Sequence, residues 1–313
     1  WTLPSDLVYN GEDKKISSYY DDTQVINNDD ITFELSGNTI HDAGSYTYTV
    51  SLTGDANEKY RIPVADSKIN FEISKREVSV NWQVNKSFTY DGLEHSIAVD
   101  SINNDVNNEE QEIISSLVYT GNQINAGTHK MSVTLNHKNY VLDKVSVQEN
   151  FTINKRNITI TFEDCTKMYD GKAKATNTYE YNVDNLASTD KIDEVVTFIF
   201  SGNAVTAKDV NTYDLIVEAG DATKFNNYNI TIYGCHLTIT KADITLTWQS
   251  DKELDYNGFS QGISINTVGG NVASGESSLI LNSLVYSGSK TNVGTYTMTV
   301  RLPDTTNYYI SAT

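Results

Sequence analysis

Proline and methionine are scarce, at 3 each in 313 residues, and there are only 2 cysteines. Two cysteines cannot brace a small disulfide scaffold, so folding has to rest on packed apolar cores. Long apolar runs are missing too. No stretch approaches the roughly 18 consecutive apolar residues that cross a bilayer as a helix. Positive charge is short, with 23 basic against 41 acidic residues and a formal net charge of -18. Such a surface repels nucleic acid and anionic lipid, which argues against both as partners and against membrane insertion by this segment. HExxH, Cys or His pairs at zinc spacing, a phosphate-cradling glycine loop and a nucleophile elbow are all absent. The expectation is a protein that is not an enzyme, with no catalytic, cofactor-binding or metal residues.

What is abundant is tyrosine, at 20 residues, together with Thr, Val, Ile and Asn. This composition favours strands joined by polar turns. One stretch organises the rest. Phe151 to Phe162 reads FTINKRNITITF, and it has counterparts at Phe71 to Trp82 (FEISKREVSVNW) and Leu237 to Trp248 (LTITKADITLTW). Apolar and polar residues alternate, which is the two-residue period of a half-buried strand. In each copy the parity changes in the middle: Phe151 and Ile153 are odd-numbered, Ile158, Ile160 and Phe162 even-numbered. A one-residue slip moves every side chain to the other face, so the two halves cannot serve one flat core. Each copy therefore reads as the closing strand of one domain, a kink at Lys75, Lys155 or Lys241, and the opening strand of the next.

Four landmarks recur in the same order. A Tyr-(Asp/Asn)-Gly triplet stands at Tyr9 to Gly11, Tyr90 to Gly92, Tyr169 to Gly171 and Tyr256 to Gly258, every 79 to 87 residues. An aromatic or apolar run ending at or near Gly37, Gly121, Gly202 and Gly288 follows. Next come the corners Gly44-Ser45-Tyr46, Gly127-Thr128-His129, Asn211-Thr212-Tyr213 and Gly294-Thr295-Tyr296, and then Tyr60, Tyr140, Tyr228 and Tyr308. Self-similarity of this kind is the signature of a tandem array. Its repeats are bounded at 1–75, 76–155, 156–241 and 242–313. Trp1, Trp82 and Trp248 each lie eight residues before a triplet, and no closing-strand pattern follows Tyr308. The expectation is a piece of a longer array in which repeat 1 is short of its opening strand and repeat 4 of its closing strand.

Asn-Gly and Asp-Gly supply the positive-φ residues of tight hairpin turns, with the preceding tyrosine covering an open end of the core. The stretch His41 to Tyr46 has the form of a tyrosine corner, in which a hydroxyl bonds back to the loop backbone. Each repeat should hold six or seven strands. The one helix-like window is Asn108 to Leu117 in repeat 2, so a helix is not expected in the shared design.

These landmarks together resemble the MBG- and YDG-type repeats of large bacterial surface proteins and adhesins. Repeat 3 matches most closely, through Lys167 to Ala173, Lys208 to Thr212, Asn227-Tyr228 and Leu237 to Ala242. Asn211 stands where that family usually has Gly. The resemblance implies an exported, cell-surface, repetitive β-protein, and it transfers no catalytic residue.

The expected fold is all-β: four small Ig-like β-sandwich repeats in tandem as an extended, semi-rigid rod, with β-grasp-like repeats as the alternative. At about 3.3 Å per strand residue, four repeats end to end reach on the order of 100–150 Å. The expected function is a stalk or spacer that projects a distal binding region from the cell wall. The alternatives are an adhesive module for host glycan or protein, and accessory repeats of a secreted carbohydrate-active enzyme. The expected partners are neighbouring repeats of the same chain, with the protein otherwise monomeric.

Further candidates each stand beside a plainer account. Cys165 and Cys235 are a candidate disulfide, or two reduced thiols. Asp21-Asp22, Asn28-Asp29-Asp30 and Glu109-Glu110 are candidate Ca²⁺ ligands, or solvated loop carboxylates. Lys75, Lys155 and Lys241 are candidate isopeptide donors, or exposed junction residues.

Overall fold

The structure, a computed structural model, describes residues 1–37 and 39–311; the last two positions of repeat 4 lie outside the described residues. It is mostly β, built from several small sheets, and divides into two compact units, Trp1–Asn154 and Lys155–Thr313. Each unit holds two repeats.

Repeat 2 shows the plan. Its opening strand, Arg76–Trp82, lies between Val99–Asn103, antiparallel, and Tyr140–Leu142, parallel. Its closing strand, Gln148–Asn154, lies between Ser87–Thr89, parallel, and the corner strand Gly127–Leu135, antiparallel. The corner strand pairs in turn with Leu117–Thr120. Repeat 3 has the same seven strands in the same order. Arg156–Phe162 lies between Tyr181–Asp184 and Tyr228–Tyr233, and Cys235–Thr240 between Cys165–Met168 and Asn211–Gly220. The parity change now has its physical cause. In unit 1 Phe71 and Ile73 are buried from the closing strand Lys68–Ile73, and Val78 and Val80 from the opening strand that follows. These two strands belong to different sheets, so each half of the dodecamer turns inward from its own sheet, although the buried side chains of both join one apolar cluster.

Repeats 1 and 4 carry part of this plan. Repeat 1 has the sheet Phe33–Ser36, Gly44–Leu52, Lys68–Ile73, with Val8 bridging in parallel to Ser74. Repeat 4 has its opening strand Ala242–Trp248 between Ile265–Gly270 and Tyr308–Ile310, and a two-stranded sheet of Val285–Ser287 and Thr299–Arg301.

Two expectations need correction. A short helix does belong to the shared design. Glu110–Ser115 in repeat 2 has counterparts at Ile192–Val195 and Ser277–Ser283. The Ser277 to Ser283 stretch, SSLILNS, lacks the charged helix formers that flag the repeat 2 window, and burial of Ile280 supplies what propensity does not. The triplets, moreover, are not hairpin turns. In repeat 2 the flanking strands Ser87–Thr89 and Val99–Asn103 enter different sheets. Only the glycine takes positive φ, between 73° and 80° in all four copies. The Asn or Asp acts through its side chain instead. Asn10, Asp91, Asp170 and Asn257 each accept the backbone N–H two residues on, at 2.9 to 3.1 Å.

Candidate functional site

The most strongly repeated chemistry is a clasp around the fourth landmark tyrosine. In repeat 2 the Val106 N–H donates to the Tyr140 hydroxyl at 3.2 Å, and that hydroxyl donates to Glu109 at 2.7 Å. In repeat 4 Ala273 N–H, Tyr308 and Glu276 make the same chain at 3.0 and 2.8 Å. Repeat 3 uses Ala187, Tyr228 and Asp190, and repeat 1 uses Ile26, Tyr60 and Asp29. The acid always stands three residues after the N–H donor. One phenol thus serves as acceptor and donor at once, satisfying a loop N–H and a partly buried carboxylate.

In repeats 2 and 4 the clasp is also a joint. The Tyr9 hydroxyl of repeat 1 donates to the other oxygen of Glu109 at 2.8 Å, and the Tyr169 hydroxyl of repeat 3 to the other oxygen of Glu276 at 2.8 Å. Tyr9 and Tyr140 meet edge to face with ring centroids 5.4 Å apart, and Tyr169 and Tyr308 at 5.2 Å. A second contact sits beside the first. Asn139 accepts from the Ala43 N–H at 2.9 Å and donates to Asp42 at 3.0 Å. Asn307 likewise accepts from the Val210 N–H and donates to Asp209, both at 2.9 Å. Lys138 adds an ion pair to Asp42 in the first joint. One apolar cluster runs through unit 1, taking in Ile40 and Ile73 of repeat 1, Val78 and Val133 of repeat 2, and both tyrosines.

The joint shifts the titration of its phenols. Burial first, then the hydrogen bond to Glu109, pushes Tyr9 up to about 12. Burial and the bond to Glu276 push Tyr308 up to about 12. Tyr140 and Tyr169 move up for the same two reasons. In repeat 3 the acid of the clasp is held by a cation. Lys224 reaches Asp190 at 2.8 Å and Glu194 at 2.9 Å, and these bonds raise its own pKa.

The sequence-derived candidates fall around these joints. Tyr9, Tyr90 and Tyr169 are buried, whereas Tyr256 is exposed. Gly11 and Gly171 lie in the joints: a Cβ on Gly11 would sit 2.0 Å from Asn107, and one on Gly171 3.4 Å from Ala273. Gly92 and Gly258 keep the same positive φ. At the corners Tyr46 and Tyr213 donate to the carbonyls of Asp42 and Asp209, four residues back, and His129 Nε2 lies 2.7 Å from the Asn125 carbonyl. Tyr296 bonds back to Val293 at 3.5 Å. Gly44 and Gly127 open the corner strands, while Gly294 has no strand of its own. Lys75, Lys155 and Lys241 are exposed. After two of them, Arg76 and Arg156 each grip a left-handed asparagine, Asn104 or Asn185, through its carbonyl and side-chain oxygens at 2.6 to 2.7 Å.

Both thiols are free in the structure. Cys165 is opposite Leu237 in register, two residues from Cys235, and burial pushes the Cys235 thiol up to about 11. Among the described residues no group of three or more His, Cys, Asp or Glu side chains is placed to hold a metal ion. Of the acidic clusters weighed for Ca²⁺, Asp21 caps Thr23, Asp29 holds Tyr60 and Lys59, and Glu109 holds its two tyrosines.

Sequence reasoning missed the acid of the clasp. Its signal is an acid 19 to 21 residues after each triplet tyrosine, just ahead of the helix or loop, which the scatter of 41 acidic residues conceals. A comparison with protein-family models finds no match, and neither does a comparison with curated proteins.

Proposed function

We propose that the chain is a structural spacer of a bacterial surface protein or adhesin, its repeats holding a distal binding region away from the cell wall. The observation that carries this is the joint present in both units, with the same tyrosine–carboxylate–tyrosine geometry and the same asparagine bridge. A binding module needs one good site. A spacer needs its neighbours fixed to one another, and in two of its four copies the repeated clasp does that. Strand leads to strand with no Gly/Ser-rich linker, so little hinge freedom remains between the repeats of a unit. The repeats are taken as small Ig-like sandwiches, on the two sheets that repeats 2, 3 and 4 each carry and on the corner tyrosines Tyr46, Tyr213 and Tyr296. The parallel pairs in both sheets are what a β-grasp-like alternative would share.

One observation favours an adhesive role. A cleft of about 420 Å³ in repeat 1 is lined by Trp1, Tyr19, Tyr20, Phe33 and Tyr60, which suits stacking on a sugar. It lies between residues 18–21 and 60–63, where repeats 2 and 3 seat their opening strand, so strand packing accounts for its apolar walls without a ligand. Single-molecule stretching of the chain tests the spacer role. Residues 1–154 should be released in one step, while two separate steps of about 75 residues would overturn it. A glycan array probed with the chain should be silent.

A further inference from the structure

Repeats 2 and 3 differ at one pair of positions that their shared topology brings together. The first lies four residues before the triplet tyrosine, the second two residues before the first buried apolar side chain of the closing strand. In repeat 2 these are Lys86 and Glu149, which form an ion pair at 2.8 Å. In repeat 3 they are Cys165 and Cys235. Their strands run parallel with Cys165 opposite Leu237, so the two thiols are diagonal neighbours on one face. Strands about 4.8 Å apart and two residues of about 3.3 Å put the Cα atoms roughly 8 Å apart. A disulfide needs about 4.4–6.8 Å. The pair is too wide for a bond between the sulfurs, but it suits an atom placed between them. Two metal–sulfur bonds of about 2.3 Å span roughly 4.5 Å.

The surroundings point the same way. Cys235 is buried, while Cys165 is only half-buried and leaves a way in. Tyr179 is 5% exposed, and its buried hydroxyl has no hydrogen-bond partner. An unmet buried donor is unfavourable, and this one lies within electrostatic reach of both sulfurs. A neutral thiol accepts only weakly, so a thiolate is the acceptor that the hydroxyl lacks. Lys174 Nζ stands 5.2 Å from the centroid of the Tyr179 ring and bears on both sulfurs as well. The neighbouring carboxylate, Asp164, is engaged by the His236 N–H at 2.7 Å.

We propose that Cys165 and Cys235 form a two-coordinate site for a soft monovalent ion, Cu⁺, with Tyr179 and Lys174 as its outer partners. Soft thiolate ligands select such an ion. Zn²⁺ asks for four ligands, and among the described residues no group of three or more His, Cys, Asp or Glu side chains is gathered to hold it. On binding, each thiol releases its proton to solvent and each sulfur forms one bond to the ion. The resulting S–Cu–S unit carries a single negative charge, which the Lys174 ammonium balances, and its sulfurs supply the Tyr179 hydroxyl with an acceptor. The site is independent of the spacer role, since it follows from the residues of repeat 3 alone.

The test is anaerobic titration of the reduced whole chain with Cu⁺ against a chromophoric Cu⁺ chelator. One ion per chain should be retained, with thiolate-to-copper absorption in the ultraviolet. Cys165→Ser and Cys235→Ala should each abolish retention. Cys165→Ser alters a half-buried position, so its circular dichroism should match that of the unaltered chain and separate loss of the ion from loss of the fold. Tyr179→Phe keeps the ring and should weaken binding about tenfold, as loss of an outer partner does. Zn²⁺ should not be held in the same competition. Failure to retain Cu⁺, or undiminished retention in Cys165→Ser, would overturn the assignment. So would copper-dependent dimerisation, because thiols of two copies would then share the ion. Ready conversion of both thiols to a disulfide by oxidised glutathione in the folded chain would also overturn it, because the sulfurs would then lie near bonding distance.

Discussion

Repeats 3 and 4 carry the same triplet in the same local form, yet Tyr169 is buried and Tyr256 is exposed. Both turns place glycine at positive φ, and both have an Asp or Asn side chain accepting the N–H two residues on. The turn is encoded within four residues and forms wherever those residues occur. Burial of its tyrosine is not local. It needs a closing strand alongside, and in Tyr169 it is joined to a carboxylate 107 residues away. What distinguishes the two repeats is whether neighbouring structure uses the turn.

The largest effect should come from removing a joint phenol. Tyr140→Ala and Tyr308→Ala should each cost about 3–5 kcal/mol in chemical denaturation, the usual loss for a large buried side chain. Tyr256→Ala should stay within about 0.5 kcal/mol, as exposed positions do. Equal losses at all three positions would erase the distinction between the joint tyrosines and the exposed one. Next comes Glu109→Ala, which leaves two buried hydroxyls without their acceptor. It should cost about 2–3 kcal/mol, and Glu276→Ala about the same, by urea titration.

Alkaline pH sharpens the comparison without mutation. Tyr9 and Tyr308 have folded-state pKa values of about 12, above the usual value of about 10 for an unfolded phenol. The folded state therefore holds its protons longer. The stability they contribute is fully present below pH ~10 and is lost as pH rises through about 12. Melting temperatures measured between pH 8 and 12 should fall across that window, and Tyr9→Phe should lessen the fall. No such change is expected from Tyr256→Phe. The smallest effect belongs to Lys138→Ala, which removes an ion pair with one well-exposed partner and should change stability by less than about 0.5 kcal/mol.

Strand alternation, the dodecamers and the order of landmarks were legible because each depends on a few neighbouring residues. The parity break between Ile153 and Ile158 was enough to place the ends of strands. The Asx role of Asp91 was not legible. Asp-Gly pairs serve hairpins and Asx turns alike, and only the sheets that receive the flanking strands separate the two. Glu109 and Glu276 were hidden for a different reason. Their partners Tyr9 and Tyr169 lie 100 and 107 residues away, and a carboxylate between two phenols looks in sequence like any loop carboxylate. The helix at Ser277–Ser283 was missed because packing of Ile280, rather than propensity, sustains it.

The coupling of adjacent repeats is measured most directly by a double-mutant cycle on Tyr9→Phe and Glu109→Gln, read by chemical denaturation of unit 1 within the whole chain. The two side chains, from different repeats, should show a coupling of about 1–2 kcal/mol. Additivity within about 0.3 kcal/mol would mean that the joint holds nothing together.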